Sequence, residues 1–176
     1  LTARGISVNV TLLFAVSRYE EIAKAYISGL QRRVDAGQDI DRIASVASFF
    51  VSRVDTKVDA ALDDLGRPEL KGKAAVANAQ LAYASFLEIF SGPAWEALAA
   101  RGANVQRPLW ASTGVKNPDY PDTLYVDTLI GPDTVNTMPD ATLAAARERA
   151  VAARTVDADF DGARQVIADV RAAGVD

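Results

Sequence analysis

The sequence predicts an α/β fold in which parallel β-strands alternate with α-helices. Three apolar runs of strand length carry this prediction, and each is followed by segments with helical periodicity. They cover residues 5–14, 44–53 and 108–116. Small polar or charged side chains stand near the end of each run. In a parallel α/β protein, that is where strands meet the loops that build the active site.

The first half of the chain predicts two strands and the helices that follow them. Residues 6–14 form the first strand. Ser17 and Glu20 have the spacing of a capping box at the start of the next helix, and Gly37 is a typical stop signal after it. Residues 43–51 then form the second strand, and residues 55–65 form a short amphipathic helix.

The second half continues the alternation. A helix is predicted over residues 73–90, and Gly92 and Pro93 separate it from a shorter one over 95–101. The third strand covers 107–113, and the segment 124–130 favours helix because its apolar residues do not alternate. A short fourth strand covers 134–138. The helices 141–153 and 157–173 complete the chain.

Four strands, each followed by helix, are half of a (β/α)8 TIM barrel, whose complete form needs about 250 residues. A doubly wound sheet of four strands is the competing architecture, but the glycine-rich phosphate turn of that fold is missing. No linker or low-complexity stretch interrupts residues 1–176, so they are predicted to form half of one barrel domain. The chain starts at Leu1 with no initiator methionine. We therefore expect it to be a piece of a longer polypeptide.

Composition excludes several chemistries. The chain has no cysteine and no histidine, which excludes disulfides, cysteine nucleophiles, Ser-His-Asp triads and zinc sites with sulfur or imidazole ligands. Acid–base chemistry must use Asp, Glu, Lys, Tyr or ordered water, and no cofactor or metal is expected. The net charge of −4 argues against nucleic acid as a partner, and no apolar run approaches the roughly 20 residues that span a bilayer. The absence of cysteine fits a cytoplasmic protein.

Two side chains of the second apolar run are candidates for binding an anion. Arg53 ends the run, where a guanidinium is well suited to bind a phosphate through two hydrogen bonds. The alternative is an arginine at a helix N-terminus that pairs with Asp55 or Asp59. Ser48 lies inside the run, so its hydroxyl either bonds to backbone or faces a pocket.

The third run offers a second set of anion-binding groups. Ser112 is followed by Thr113 and Gly114, which together present hydroxyls and backbone amides. Lys116 stands just beyond the strand, as a phosphate-binding cation, a Schiff-base amine if burial lowered its pKa, or a solvated loop lysine.

Asn9 and Thr11 share one face of the first strand, because side chains alternate along a strand. A barrel interior is normally filled with branched apolar residues, so two inward polar groups would be costly without a function. We expect them to order a water molecule or a substrate hydroxyl. The alternative is that they face the outer helices.

These motifs resemble the fifth, sixth and seventh strands of transaldolase, in the same order. The motifs are Asn9-Val10-Thr11-Leu12-Leu13-Phe14, Ser48-Phe49-Phe50-Val51-Ser52-Arg53 and Trp110-Ala111-Ser112-Thr113-Gly114-Val115-Lys116. Two further stretches are similar to the actinobacterial-type branch of the family: Lys116-Asn117-Pro118-Asp119-Tyr120 and Asn136-Thr137-Met138-Pro139. The resemblance covers nearly the whole chain and implies that it supplies roughly strands 5–8 of a TIM barrel with their helices.

The resemblance implies a transferase of the pentose phosphate pathway that passes a dihydroxyacetone unit from a ketose phosphate to an aldose phosphate through a Schiff-base lysine. Thr11 matches the threonine that helps hold the catalytic water, and Asn9 the asparagine beside the Schiff base. Ser48 matches the serine of the sixth strand. Arg53 matches the phosphate-binding arginine, and Ser112 the seventh-strand serine near the same phosphate.

The chain departs from the family pattern at two points. Many relatives have a second phosphate arginine two residues after the serine that Ser112 matches, whereas this chain has Gly114, and Lys116 is the candidate substitute. The family's Schiff-base lysine and its acidic partners lie on earlier strands and would fall before Leu1, in a missing N-terminal half. Two alternatives stay open: a non-catalytic phosphosugar-binding barrel half or split-enzyme subunit, and a helix-rich interaction module.

Overall fold

A computed structural model describes all residues, 1–176, and contains one parallel sheet. Its strands are β1 (Val8–Leu13), β2 (Ser45–Phe50), β3 (Gln106–Ala111) and β4 (Val135–Asn136). Each strand pairs in parallel with the next, so the spatial order is the same as the order along the chain. A doubly wound sheet reverses its strand order at a switch point, whereas a barrel does not. The order observed is that of a barrel.

Seven α-helices connect and follow the strands: α1 (Val16–Asp35), α2 (Val51–Asp64), α3 (Ala74–Ile89), α4 (Pro93–Ala99), α5 (Leu124–Asp127), α6 (Asp140–Arg149) and α7 (Phe160–Ala172). Two short 3₁₀ turns cover Thr2–Arg4 and Pro68–Leu70. The predicted alternation of strand and helix is confirmed, including the helical state of α5. No helix is both long enough and apolar enough to cross a lipid bilayer.

The core lies between the sheet and its helices. Ala47 and Phe49 of β2 and Trp110 of β3 point into it, and they pack with Tyr83 of α3 and Tyr125 of α5. Burying rings of this size is the main stabilising contribution to such a core. Because side chains alternate along a strand, the other face of the sheet carries the remaining residues of β1, β2 and β3.

The start of α1 differs from the sequence prediction. Ala15, and not Ser17, precedes the helix, and no side chain caps it. Glu20 accepts a hydrogen bond from Ser85 on α3 at 2.8 Å, so it links two helices and does not complete a capping box. The predicted stop signal at Gly37 is confirmed, because the chain there adopts a φ of 67°, which glycine tolerates best.

The predicted start of α2 at residue 55 is also wrong. The helix begins at Val51, directly after the last residue of β2, with no loop between them. Helices α6 and α7 are shorter than predicted. Ala150 turns extended after α6, and the Val151 N–H donates to Asp127 of α5. Asp159 caps α7 by accepting from the Gly162 N–H at 2.7 Å.

Candidate active site

Asn9 and Thr11 lie on the face of β1 that points away from the helices. Both are exposed, whereas Val8 and Val10 on the other face are half-buried and Val10 packs against the core. The prediction that the two polar residues share a face is therefore confirmed, and the alternative that they face the helices is wrong. Leu12 interrupts β1 with a φ of 61°, at an irregularity in its pairing with β2.

Ser48 connects β2 to this polar face. Its side chain is 2% exposed, and its hydroxyl donates a hydrogen bond to the Asn9 Oδ1 at 2.7 Å. A buried hydroxyl needs a partner, and this one finds a side chain on the neighbouring strand and not the backbone. The bond brings together two of the predicted site residues and orients the Asn9 amide.

Arg53 lies in the first turn of α2 and is exposed. Its guanidinium stacks over the ring of Phe50 at 4.6 Å, and no salt bridge involves it. Asp55 and Asp59 turn inward and bond to other groups, so the alternative in which either pairs with Arg53 is wrong. The guanidinium is therefore not paired with a carboxylate of this chain.

Ser112 directly follows β3 and adopts a left-handed conformation, with a φ of 55°. Its hydroxyl lies 2.9 Å from that of Ser52, and its carbonyl accepts from the Ser52 N–H at 3.0 Å. These two bonds fix the start of α2 against the end of β3. The sequence reasoning missed Ser52, although its position one residue before Arg53 was a signal. Non-glycine residues in this backbone region cost about 1–3 kcal/mol and cluster at functional sites.

Behind Ser112, a polar network joins the ends of β3 and β4. The fully buried Thr113 donates to the Asn136 Oδ1 at 2.9 Å, and the Asn136 amide donates to the Tyr125 carbonyl at 3.1 Å. The prediction that the Thr113 hydroxyl is offered to an anion is therefore wrong, because the side chain is buried and bonded to Asn136. The role of Asn136 was not predicted. Both ends of the Asn136 side-chain amide have hydrogen-bond partners, so the network stiffens the end of the sheet.

Two buried carboxylates lie on the inner face of α2. Asp55 accepts from the Ala75 N–H and the Tyr125 hydroxyl, each at 2.7 Å. Asp59 accepts from the Gly72 N–H at 2.9 Å and from the Tyr120 hydroxyl at 2.7 Å. Burial raises the pKa of Asp55, although its hydrogen bonds oppose the shift. Burial and the bonds to these carboxylates also raise the pKa of both tyrosines.

Lys116 stands on the loop after β3 and lines a cleft of about 280 Å³. It is exposed and forms no salt bridge. Ser52 lines the same cleft, so the lysine and the Ser52–Ser112 contact are close neighbours. At Gly114, an added Cβ would lie 3.3 Å from the Pro139 Cγ, so a larger residue there would press against the residue before α6.

The site therefore has two parts. One part, on β1 and β2, contains Asn9, Thr11 and Ser48, and the other contains Arg53, Ser112 and Lys116. No group of three or more acidic side chains is arranged to hold a metal ion. Hydroxyls and an amide on one face of β1 and β2, with two cations beyond the carboxyl ends of β2 and β3, can bind an anionic, hydroxylated ligand.

Comparison with known proteins assigns the sequence to a protein family. The family model described as transaldolase/fructose-6-phosphate aldolase matches residues 1–176. The chain belongs to the transaldolase/fructose-6-phosphate aldolase family. The resemblance found in the strand motifs is thereby confirmed, and a parallel sheet with helices is the arrangement expected of this TIM-barrel family.

Curated transaldolases from actinobacteria are similar to the chain over nearly all of its length. The transaldolase of Frankia alni is 54% identical over 178 residues, which cover 99% of this chain and 48% of that protein. That of Saccharopolyspora erythraea is 54% identical over 176 residues, with the same coverage. That of Acidothermus cellulolyticus is 58% identical over 151 residues, 85% of this chain and 41% of the relative. The chain thus spans about half the length of the curated relatives it matches.

Proposed function

We propose that this chain is the C-terminal half of a transaldolase barrel and supplies roughly its strands 5–8. The complete enzyme would move a dihydroxyacetone unit from sedoheptulose 7-phosphate or fructose 6-phosphate to glyceraldehyde 3-phosphate or erythrose 4-phosphate. Support comes from the family match over residues 1–176 and from the sequential order of the four parallel strands. The half-length match to the curated transaldolases supports the assignment to one half of a barrel.

In the proposed reaction, a lysine amine of the preceding half attacks the ketose carbonyl and water leaves, which forms a Schiff base. A base removes the proton of the C4 hydroxyl, the C3–C4 bond breaks, and its electrons move into the Schiff base to give an enamine. The aldose phosphate departs. The enamine carbon then attacks the acceptor aldehyde, which takes up a proton, and water hydrolyses the new Schiff base to release the product ketose.

Arg53, Ser112 and Lys116 are assigned to the phosphate of the sugar. The unpaired guanidinium of Arg53 has the geometry to bind two phosphate oxygens at once. Ser112 brings a hydroxyl that the Ser52 contact already orients. Lys116 supplies a second positive charge in place of the arginine that Gly114 replaces. The single observation that carries the proposal is this exposed Arg53, stacked on Phe50 and free of acidic partners at the carboxyl end of β2.

Asn9, Thr11 and Ser48 are assigned to the reacting end of the substrate. The Ser48 hydroxyl holds the Asn9 oxygen, so the Asn9 amide nitrogen is oriented to donate to a substrate hydroxyl. Thr11 lies two residues further along the same exposed face, where its hydroxyl would hold the water that exchanges protons with the Schiff base.

The substitution Arg53→Ala in the complete enzyme tests the proposal. Each hydrogen bond to a charged group contributes about 1.5–3 kcal/mol, so the KM for fructose 6-phosphate should rise about 10- to 100-fold. With dihydroxyacetone as the donor and unphosphorylated glyceraldehyde as the acceptor, turnover should stay near the wild-type level, because neither molecule carries a phosphate. Arg42→Ala, which removes an exposed arginine at the amino end of β2, is the matched control. Equal losses with both donors would show that Arg53 is structural and would contradict the proposal.

A further inference from the structure

The loop after β3 is anchored to α2 at both of its ends. At its start, Ser112 bonds to Ser52 in the first turn of α2. At its far end, the Tyr120 hydroxyl donates to the Asp59 Oδ2 at 2.7 Å, two turns further along the same helix. Lys116 lies between these two anchors. The position of the Lys116 backbone is therefore set by the Ser52–Ser112 and Tyr120–Asp59 contacts on either side of it.

The Tyr120 anchor is tightly built. Asp59 is 9% exposed, and its other oxygen accepts from the Gly72 N–H, so the carboxylate cannot turn away from the tyrosine without losing a second bond. The ring packs on the turn at Gly72, where an added Cβ would lie 2.7 Å from the Tyr120 Cζ. Gly72 has a φ of 71°, so a side chain there would be strained in any case.

A compact turn joins Lys116 to this anchor. The Asn117 side chain accepts from the Asp119 N–H at 3.0 Å, and the Asn117 carbonyl accepts from the Tyr120 N–H at 3.2 Å. An Asx turn of this kind fixes the path of the backbone. Displacing the Tyr120 hydroxyl therefore moves the segment that directly follows Lys116.

Three carboxylates and two lysines line the cleft between this loop and α2. The carboxylates of Asp55 and Asp59 are buried and accept hydrogen bonds from the protein, and Asp63 is paired with Lys71 at 2.7 Å. Lys116 has no such partner and lines the same cleft as Ser52. Among the two lysines of the cleft, Lys116 is the one whose ammonium group is left for an anion.

We propose that Tyr120, held by Asp59, is a positioning residue that keeps Lys116 directed at the phosphate of the sugar. This inference rests on the proposed function, because it concerns the same phosphate. Tyr120 acts through Lys116 and touches no substrate. Because the Tyr120–Asp59 bond already orders the loop, less conformational entropy is lost when Lys116 binds a phosphate.

A double-mutant cycle in the complete enzyme tests this coupling. Lys116→Met should raise the KM for fructose 6-phosphate about 10-fold, and Tyr120→Phe, which removes only one hydroxyl, about fivefold. The two changes combined should be no worse than Lys116→Met alone, because the hydroxyl acts through the lysine. With dihydroxyacetone as the donor and unphosphorylated glyceraldehyde as the acceptor, Tyr120→Phe should have no effect. Tyr83→Phe is the matched control, since it removes a tyrosine hydroxyl bonded at 3.1 Å to the Pro132 carbonyl.

Several outcomes would overturn the inference. They are additive effects of the two substitutions, equal losses with both donors, or a KM that Lys116→Met leaves unchanged. Asp59→Asn, which keeps one oxygen acceptor, provides a second cycle with Lys116→Met if the tyrosine variant is poorly folded. If Arg53→Ala leaves the KM unchanged, the proposed function itself fails. If Arg53→Ala raises it and Tyr120→Phe does not, only the positioning role fails.

Discussion

The two parts of the candidate site are built very differently. The part formed by Arg53, Ser112 and Lys116 rests on contacts that stay inside this chain, from the Ser52–Ser112 pair to the buried carboxylates of α2. The part formed by Asn9 and Thr11 lies on β1, at the edge of the sheet, with both side chains exposed. One bond, from Ser48 to Asn9, supports it.

This difference separates a part of the site that several buried contacts support from a part at the sheet edge that one side-chain bond supports. The proposed phosphate end is held from behind by buried groups whose hydrogen bonds are satisfied within the chain. The β1 edge presents unpaired backbone groups, which in proteins are covered or paired. On this account, stability should respond to changes behind the phosphate end, and catalysis should respond to changes on the β1 face.

The largest effect on stability should follow Asp55→Ala. The substitution leaves the Ala75 N–H and the Tyr125 hydroxyl without acceptors in the core, at about 1–3 kcal/mol for each unsatisfied group. We expect the free energy of unfolding, measured with urea, to fall by about 3–5 kcal/mol. Asp64→Ala, at the exposed end of the same helix, is the matched control and should change it by less than about 0.5 kcal/mol. A loss of similar size for both would mean that the buried network does not stabilise the site.

The opposite behaviour is expected for Thr11→Val. The side chain is exposed, so the free energy of unfolding should change by less than about 0.5 kcal/mol. If Thr11 holds the catalytic water, the kcat of the complete enzyme should fall about 100-fold, as for the loss of a proton-transfer group. Thr11→Ser keeps the hydroxyl and should retain most of the activity. An active Thr11→Val enzyme would remove Thr11 from the mechanism.

A smaller effect is expected on the pH dependence of the free energy of unfolding. It concerns Tyr125, whose hydroxyl belongs to the buried network behind the phosphate end. Burial raises the pKa of Tyr125 above its ordinary value of 10.0. Above that pH, the unfolded chain releases this proton while the folded chain keeps it, so rising pH favours unfolding. The contribution of Tyr125 to this loss is at most about 1.4 kcal/mol per pH unit. Urea unfolding at about pH 8 and about pH 11 should show a shallower decline for Tyr125→Phe than for the wild type. Identical declines would contradict the assigned burial of this hydroxyl.

The sequence predicted the parts of the fold that local patterns determine. Strand positions followed from apolar runs, and the shared face of Asn9 and Thr11 followed from the alternation of side chains along a strand. The start of α2 was missed because Val51 and Val54 continue an apolar run that reads as strand. The helix begins at Val51, where its first turn is bonded to Ser112, a residue 60 positions away that no local pattern connects to it.

The network behind the phosphate end was not predicted, for a different reason. Its bonds join residues 61 and 70 positions apart, Asp59 to Tyr120 and Asp55 to Tyr125, and no local pattern records such pairs. One signal was present. Asp55 and Asp59 stand four residues apart on the buried face of an amphipathic helix, and acids are rarely buried there unless they have partners.

Borohydride trapping with fructose 6-phosphate tests most directly the claim that this chain carries the phosphate end of a transaldolase site without its nucleophile. The reagent reduces a Schiff base to a stable amine, which mass spectrometry then locates. We expect the isolated chain of 176 residues to be inactive and to give no adduct. The complete enzyme should give one adduct, on a lysine outside these residues. A sugar adduct on Lys116, or on any other lysine of this chain, would contradict the account.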